Sequence, residues 1–124
     1  MSESISQKQL RLNQDLHKSD STFGNRPAGA GLAIRLAIAL YRMHDAGLCN
    51  SVLDYGTGKG LMVHHLRSKL PNNIEISGYD PAVVDWSVKP HHAFDIVTCL
   101  DVLEHIELCS IDAALSEIAT FTKY

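Results

Sequence analysis

Between Ser51 and Gly60 the chain reads S-V-L-D-Y-G-T-G-K-G, and few folds accommodate that run. Val52 and Leu53 read as the end of a buried strand, which Asp54 closes. Gly56, Gly58 and Gly60 then alternate through the turn that follows. Glycine costs backbone entropy inside a strand or a helix. Three so close together make sense where the chain turns sharply and lets a ligand lie against bare backbone. From Leu61 to Leu70, apolar residues at 63, 66 and 70 have helical spacing. Strand, glycine turn and helix in this order form the nucleotide-cradling unit of doubly wound α/β sheets, with free amides of the helix N-terminus facing the ligand.

Composition sets bounds around this unit. A chain of 124 residues makes one domain at most, large enough for a core but short for a complete α/β enzyme. Its apolar content of 45% and charged content of 20% are ordinary globular values. A net charge of −3 argues against a general binder of nucleic acid or anionic membranes. Cys49, Cys99 and Cys109 are odd in number and contain no close pair, which suits a reduced cytoplasmic protein. The polar N-terminus has no signal-peptide core. The longest apolar run, Ala28 to Tyr41, is interrupted by Arg35 and too short to span a bilayer. The expectation is a soluble, cytoplasmic protein.

Residues 1–31 read as an N-terminal arm or lid. Ile5, Leu10, Leu12 and Leu16 allow a weak amphipathic helix, and 20–31 is a loop rich in Ser, Asn, Pro and Gly. A lid would bring His17, Phe23 and Arg26 over a ligand; the plain alternative is a flexible arm. The main domain, 32–124, opens with a helix over Leu32–Ala46, with Arg35 and Arg42 on one solvent stripe and Gly47 as its C-cap. Pro71-Asn72-Asn73 is a turn, and Ile74–Tyr79 alternates as a strand. That strand ends in Gly78-Tyr79-Asp80-Pro81. Asp80 stands twenty residues after Gly60, where this architecture places a carboxylate to accept both hydroxyls of a ribose; a turn aspartate before proline is the alternative. Residues 82–93 are short and irregular. Phe94–Leu100 reads as a further buried strand, followed by D-V-L-E-H-I at the carboxyl edge where open α/β sheets bind ligands. Ile111–Thr122 reads as an amphipathic helix on Leu115, Ile118 and Ala119.

Taken together, D-Y-G-T-G-K-G, G-Y-D-P and F-D-I-V-T-C-L-D-V-L-E-H-I resemble the class I S-adenosylmethionine-dependent methyltransferases, from about Ser51 to Ile106. The rival pattern is that of a nicotinamide-binding dehydrogenase, whose G-x-G-x-x-G differs from the G-x-G-x-G here and which has no counterpart to L-D-V-L-E-H. The resemblance implies a Rossmann-like, doubly wound and mostly parallel sheet with flanking helices. It also implies that Gly56, Thr57, Gly58 and Gly60 approach the methionine portion and ribose of S-adenosylmethionine, and that Asp54 lies near the amino-acid end. Asp80 takes the ribose hydroxyls, with Pro81 and Ala82 beside the adenine, while Leu100 and Asp101 contact the methionine amine or sulfonium neighbourhood. A cationic sulfonium beside an ammonium favours acidic and carbonyl surroundings, and adenine needs an apolar slot. Lys59 reads as a solvated lysine, since this cofactor carries no phosphate.

The implied reaction is in-line displacement of a methyl group from sulfur by a nucleophilic atom, for which the protein supplies positioning and exclusion of water. His105 is the candidate base where the acceptor must lose a proton, with His17 second. Asp101, Glu104 and His105 have the spacing of a magnesium-binding group in some related methyltransferases. The alternative, favoured here, is that Glu104 caps a helix and His105 lines the pocket with no metal, because further oxygen ligands are missing. The pairs His64-His65 and His91-His92 read as surface residues. No basic or aromatic-rich groove marks a nucleic-acid partner, so a small-molecule acceptor is the default. Two departures stand out: the stretch between Asp80 and Phe94 is too short for a helix plus a strand, and the chain stops near where the family's fifth strand begins. The C-terminal strands are then missing, which implies a fragment or a domain completed by a partner. It leaves strand 94–100 as an apolar edge open to self-association. A domain that binds the cofactor without transferring methyl groups is the second functional reading, and a dinucleotide-binding oxidoreductase fragment the third.

Overall fold

In a computed structural model, residues 5–19, 30–100 and 102–124 are described, without the side chains of 16–19 and 30. The helices are α1 (Gln7–Ser19), α2 (Ala30–Asp45), α3 (Leu61–Lys69) and α4 (Leu108–Thr120); the strands are β1 (Ser51–Tyr55), β2 (Glu75–Tyr79) and β3 (Ile96–Thr98). Short 3-10 turns occupy Val84–Trp86 and Leu103–His105. The sheet runs β2-β1-β3 with both pairings parallel. This is an open α/β sheet of Rossmann-like type. Among the described residues, no helix is long and apolar enough to cross a membrane.

All five residues of β1 are buried, as expected of a central strand covered on both faces. Alternation along the strand divides its side chains between two cores. Val52 joins Ile76 from β2 and the inner faces of α2 and α3, through Ala37, Leu40, Val63, Leu66 and Leu70. Leu53 and Tyr55 face the other way, with Tyr79, Phe94 and Phe121. In this second core the Tyr55, Tyr79 and Phe121 rings lie 5.9–6.4 Å apart, within the usual range for tilted aromatic pairs.

Local signals explain most boundaries. Gly47, at φ 76°, ends α2 in a Schellman arrangement: its N–H donates to His44 O at 2.9 Å, and Leu48 N–H donates to Met43 O at 2.8 Å. Arg35 and Arg42 both lie exposed on α2. The strand expected over 94–100 is shorter than its apolar run. Its last register is Asp54↔Thr98, because β1 bends away at Gly56 and leaves Cys99 and Leu100 no partner. At its other end, Phe94 pairs not with β1 but with Thr122, with Phe94 N–H on Phe121 O at 2.7 Å and Lys123 N–H on Phe94 O at 3.0 Å. Helix α4 begins at Leu108, three residues before the apolar spacing marks it, and Glu107 holds its N-cap position. Glu104 therefore lies in the preceding 3-10 turn and does not cap the helix.

The N-terminal segment forms α1, with the Ser6 hydroxyl donating to Glu107 Oε1 beside the start of α4. Phe23, Arg26 and the His17 side chain lie outside what is described. On the far side, residues 87–93 form an irregular connector tied to α4 by an ion pair and to β2 through His92 and Glu75. Lys89 Nζ meets Glu117 Oε2 at 2.7 Å, and the same carboxylate accepts the Tyr55 hydroxyl on Oε1 at 2.7 Å.

Candidate functional site

Because both pairings are parallel, β1, β2 and β3 deliver Tyr55, Tyr79 and Thr98 to the same edge of the sheet. The chain leaves β1 through a turn in which Gly56, Gly58 and Gly60 have φ of 74°, 61° and 80°. These are left-handed values that disfavour any side chain. Gly56 and Thr57 donate their N–H groups to Tyr79 O at 2.7 and 3.2 Å, which fastens the turn to the end of β2.

Asp80 is bound into this turn. Gly58 N–H donates to its Oδ2 and Ala82 N–H to its Oδ1, each at 2.9 Å. The sequence offered ribose binding and turn formation as alternatives for Asp80; the turn geometry is present, and it aims the carboxylate at the glycine segment. These two amides fix the orientation of the carboxylate.

Asp54 lies behind the turn at 5% exposure. Thr98 Oγ1 donates to its Oδ1 at 2.7 Å. Burial pushes the Asp54 carboxyl up; the hydroxyls of Thr98 and Thr57 oppose this, and the Asp80 charge reinforces it. The Thr57 hydroxyl leans toward Asp54, yet its Oγ1 completes no hydrogen bond to the protein. Thr57 Oγ1 is thus buried and orphaned. Burial, with Asp54 and Glu104 nearby, also pushes the Cys99 thiol up to about 11. The Tyr79 phenol is raised to about 12 by burial first, then by Glu117 and Asp80.

The room beside two of the glycines is filled by this chain's own side chains. A methyl group on Gly56 would come within 2.5 Å of the Val102 side chain, and one on Gly60 within 2.3 Å of the Trp86 ring. Sequence reasoning passed over Val102, Trp86 and Thr98. Only Trp86, the chain's single tryptophan and six residues past Asp80, carried a signal that could have drawn notice.

The structure thus brings Asp54, Gly56, Thr57, Gly58, Gly60 and Asp80 together, with Pro81 beside Asp80 and Leu100 beyond the end of β3. Asp101 lies outside the described residues. His105 has a side chain 39% exposed, with Nε2 3.9 Å from Glu104 Oε1. Among the described residues, no three His, Cys, Asp or Glu side chains are grouped so as to hold a metal ion. His64, His91 and His92 are exposed. His92 pairs with Glu75 at 2.7 Å. His65 departs from the surface expectation, since it is half-buried and its Nε2 has no partner.

A family model described as "Methyltransferase domain" matches residues 8–123. No curated protein and no solved structure matches the chain.

Proposed function

As this chain belongs to the methyltransferase-domain family, we propose that it transfers a methyl group from S-adenosylmethionine to a small-molecule acceptor. The observation that supports this most is the Asp80 carboxylate, oriented by the amides of Gly58 and Ala82 at the mouth of the glycine turn. The surrounding groups fit such a donor. The orphaned Thr57 hydroxyl is available to a polar ligand atom, and the carboxylates of Asp54 and Asp80 suit a cation.

Bound here, S-adenosylmethionine supplies a methyl group already activated on sulfur. The chain's own part is binding and orientation. Asp80 accepts the ribose hydroxyls, and Pro81 and Ala82 flank the base. Asp54, with Gly56, Thr57, Gly58 and Gly60, favours the amino-acid end through charge and backbone dipoles. Leu100 continues that wall beyond β3. Val102, packed on Gly56, keeps water from the turn. His105, partly exposed on the 3-10 turn, accepts a proton from the acceptor where one must leave.

Calorimetry with S-adenosylmethionine, S-adenosylhomocysteine and NAD tests the reading. Binding of the first two and not the third is expected. Asp80→Ala should weaken S-adenosylmethionine by about 10- to 100-fold, the scale of charge-assisted hydrogen bonds. Unchanged affinity would remove the ribose assignment. Methyl-transfer assays on candidate acceptors separate an active enzyme from a domain that only binds.

A further inference from the structure

Trp86 closes the loop that Asp80 begins. Asp80 N–H donates to Trp86 O at 2.8 Å, Val83 N–H to Asp80 O at 3.2 Å, and Trp86 N–H to Val83 O at 2.9 Å. The indole lies across the backbone of Gly60, where a methyl group would meet Cζ2, Cε2 and Nε1 at 2.3, 2.5 and 2.6 Å. From α3, His64 meets the ring edge-on with centroids 5.8 Å apart. The Arg67 guanidinium carbon stands 6.0 Å from the ring centroid. Arg67 also donates from Nε and Nη2 to Ile76 O in β2, at 3.0 and 2.7 Å. One ring therefore touches the last residue of the glycine turn, the face of α3 and, through its own backbone, the loop that carries Asp80.

The rest of that loop offers little else to hold it. Val84 and Val88 are 86% and 77% exposed, and Ala82 is buried but small. A segment with few buried apolar contacts opens at low free energy unless one side chain anchors it. We propose that Trp86 is a positioning residue for the Asp80 carboxylate. Its indole, seated on Gly60 and α3, fixes the 80–86 loop against the glycine turn and keeps the Gly58 and Ala82 amides on the carboxylate. The functional consequence rests on Asp80 binding the ribose; the structural coupling does not.

Hydrogen exchange by NMR on the full chain, before any ligand is added, reads the coupling directly. Trp86→Ala is expected to speed exchange at the Gly58 and Ala82 amides by about tenfold or more, while amides of Val52–Asp54 change little. Trp86→Phe, which keeps a ring over Gly60, is expected to restore most of the protection. It also serves as the readout if the alanine variant does not fold: its Gly58 and Ala82 amides should exchange modestly faster than in the parent chain. Protection at those amides unchanged by either variant overturns the proposal, and so does a rise shared equally by β1.

Calorimetry adds the functional arm. Trp86→Ala should weaken S-adenosylmethionine about tenfold, but less than about twofold in an Asp80→Ala background, because the ring acts through that carboxylate. Equal losses in both backgrounds overturn it. Failure of the unaltered chain to bind S-adenosylmethionine would overturn the cofactor reading, and the exchange result would still decide on Trp86.

Discussion

Asp54 combines deep burial with a neutral donor at bonding distance, the Thr98 hydroxyl on Oδ1. Its carboxyl is raised mainly by burial, so the folded state holds that proton more tightly than the unfolded chain. The contribution to stability is complete below the unfolded value of 3.8 and is lost as pH rises through the folded value. Asp54→Asn keeps an acceptor for Thr98 and removes the buried charge. It is expected to raise the Tm at pH 7 by several degrees, with the advantage vanishing below about pH 4 in thermal melts over a pH series. The same variant should bind S-adenosylmethionine more weakly, the usual exchange between stability and a charged site. The residue's place at the end of a buried strand was legible from V-L-D-Y-G-T-G. Its partner Thr98 was not, because the pairing that joins them spans forty-four residues of sequence.

At the scale of elements, the strand–turn–helix unit and the second strand follow from local rules: glycines at positive φ, alternation, and helical spacing. What local rules leave out is why some glycines are needed. Beside the ligand access expected at Gly56 and Gly60, Val102 and Trp86 lie over them and leave no room for a side chain. Those contacts arise from irregular segments whose path no periodicity describes. Gly78 is a parallel case inside β2. A methyl group there would meet Thr57 Cγ2 at 2.8 Å and Val63 Cγ2 at 2.9 Å, both on stiff β-branched side chains. Gly78→Ala is expected to cost about 1–3 kcal/mol in denaturant unfolding, as overpacking does. By displacing Thr57 it should also weaken cofactor binding, and a neutral result in both measurements would refute this account.

For the whole molecule, the two-sided core was readable because central-strand residues are apolar on both faces, but the short third strand and the bridge from Phe94 to Thr122 were not. Among the described residues, β3 pairs with β1 on one side, and beyond it stands only the Phe94↔Thr122 bridge. The open edge at Ile96–Thr98 is expected to promote self-association. Light scattering should show apparent mass rising with concentration, and a strictly monomeric chain throughout would count against it. A different sensitivity resides in the connector. Lys89 keeps 59% of its side chain in water as it reaches Glu117, while the Tyr55 hydroxyl approaches the same carboxylate from the interior. Dissolved electrolyte shortens the range of exposed charges from about 10 Å at 0.1 M to about 3 Å at 1 M, but barely touches a sheltered hydroxyl bond. Brine should therefore unfasten the 87–93 strap and spare the β1 terminus, visible as faster deuterium uptake in that peptide alone. Ionic strength would then grade how tightly this connector is held to α4.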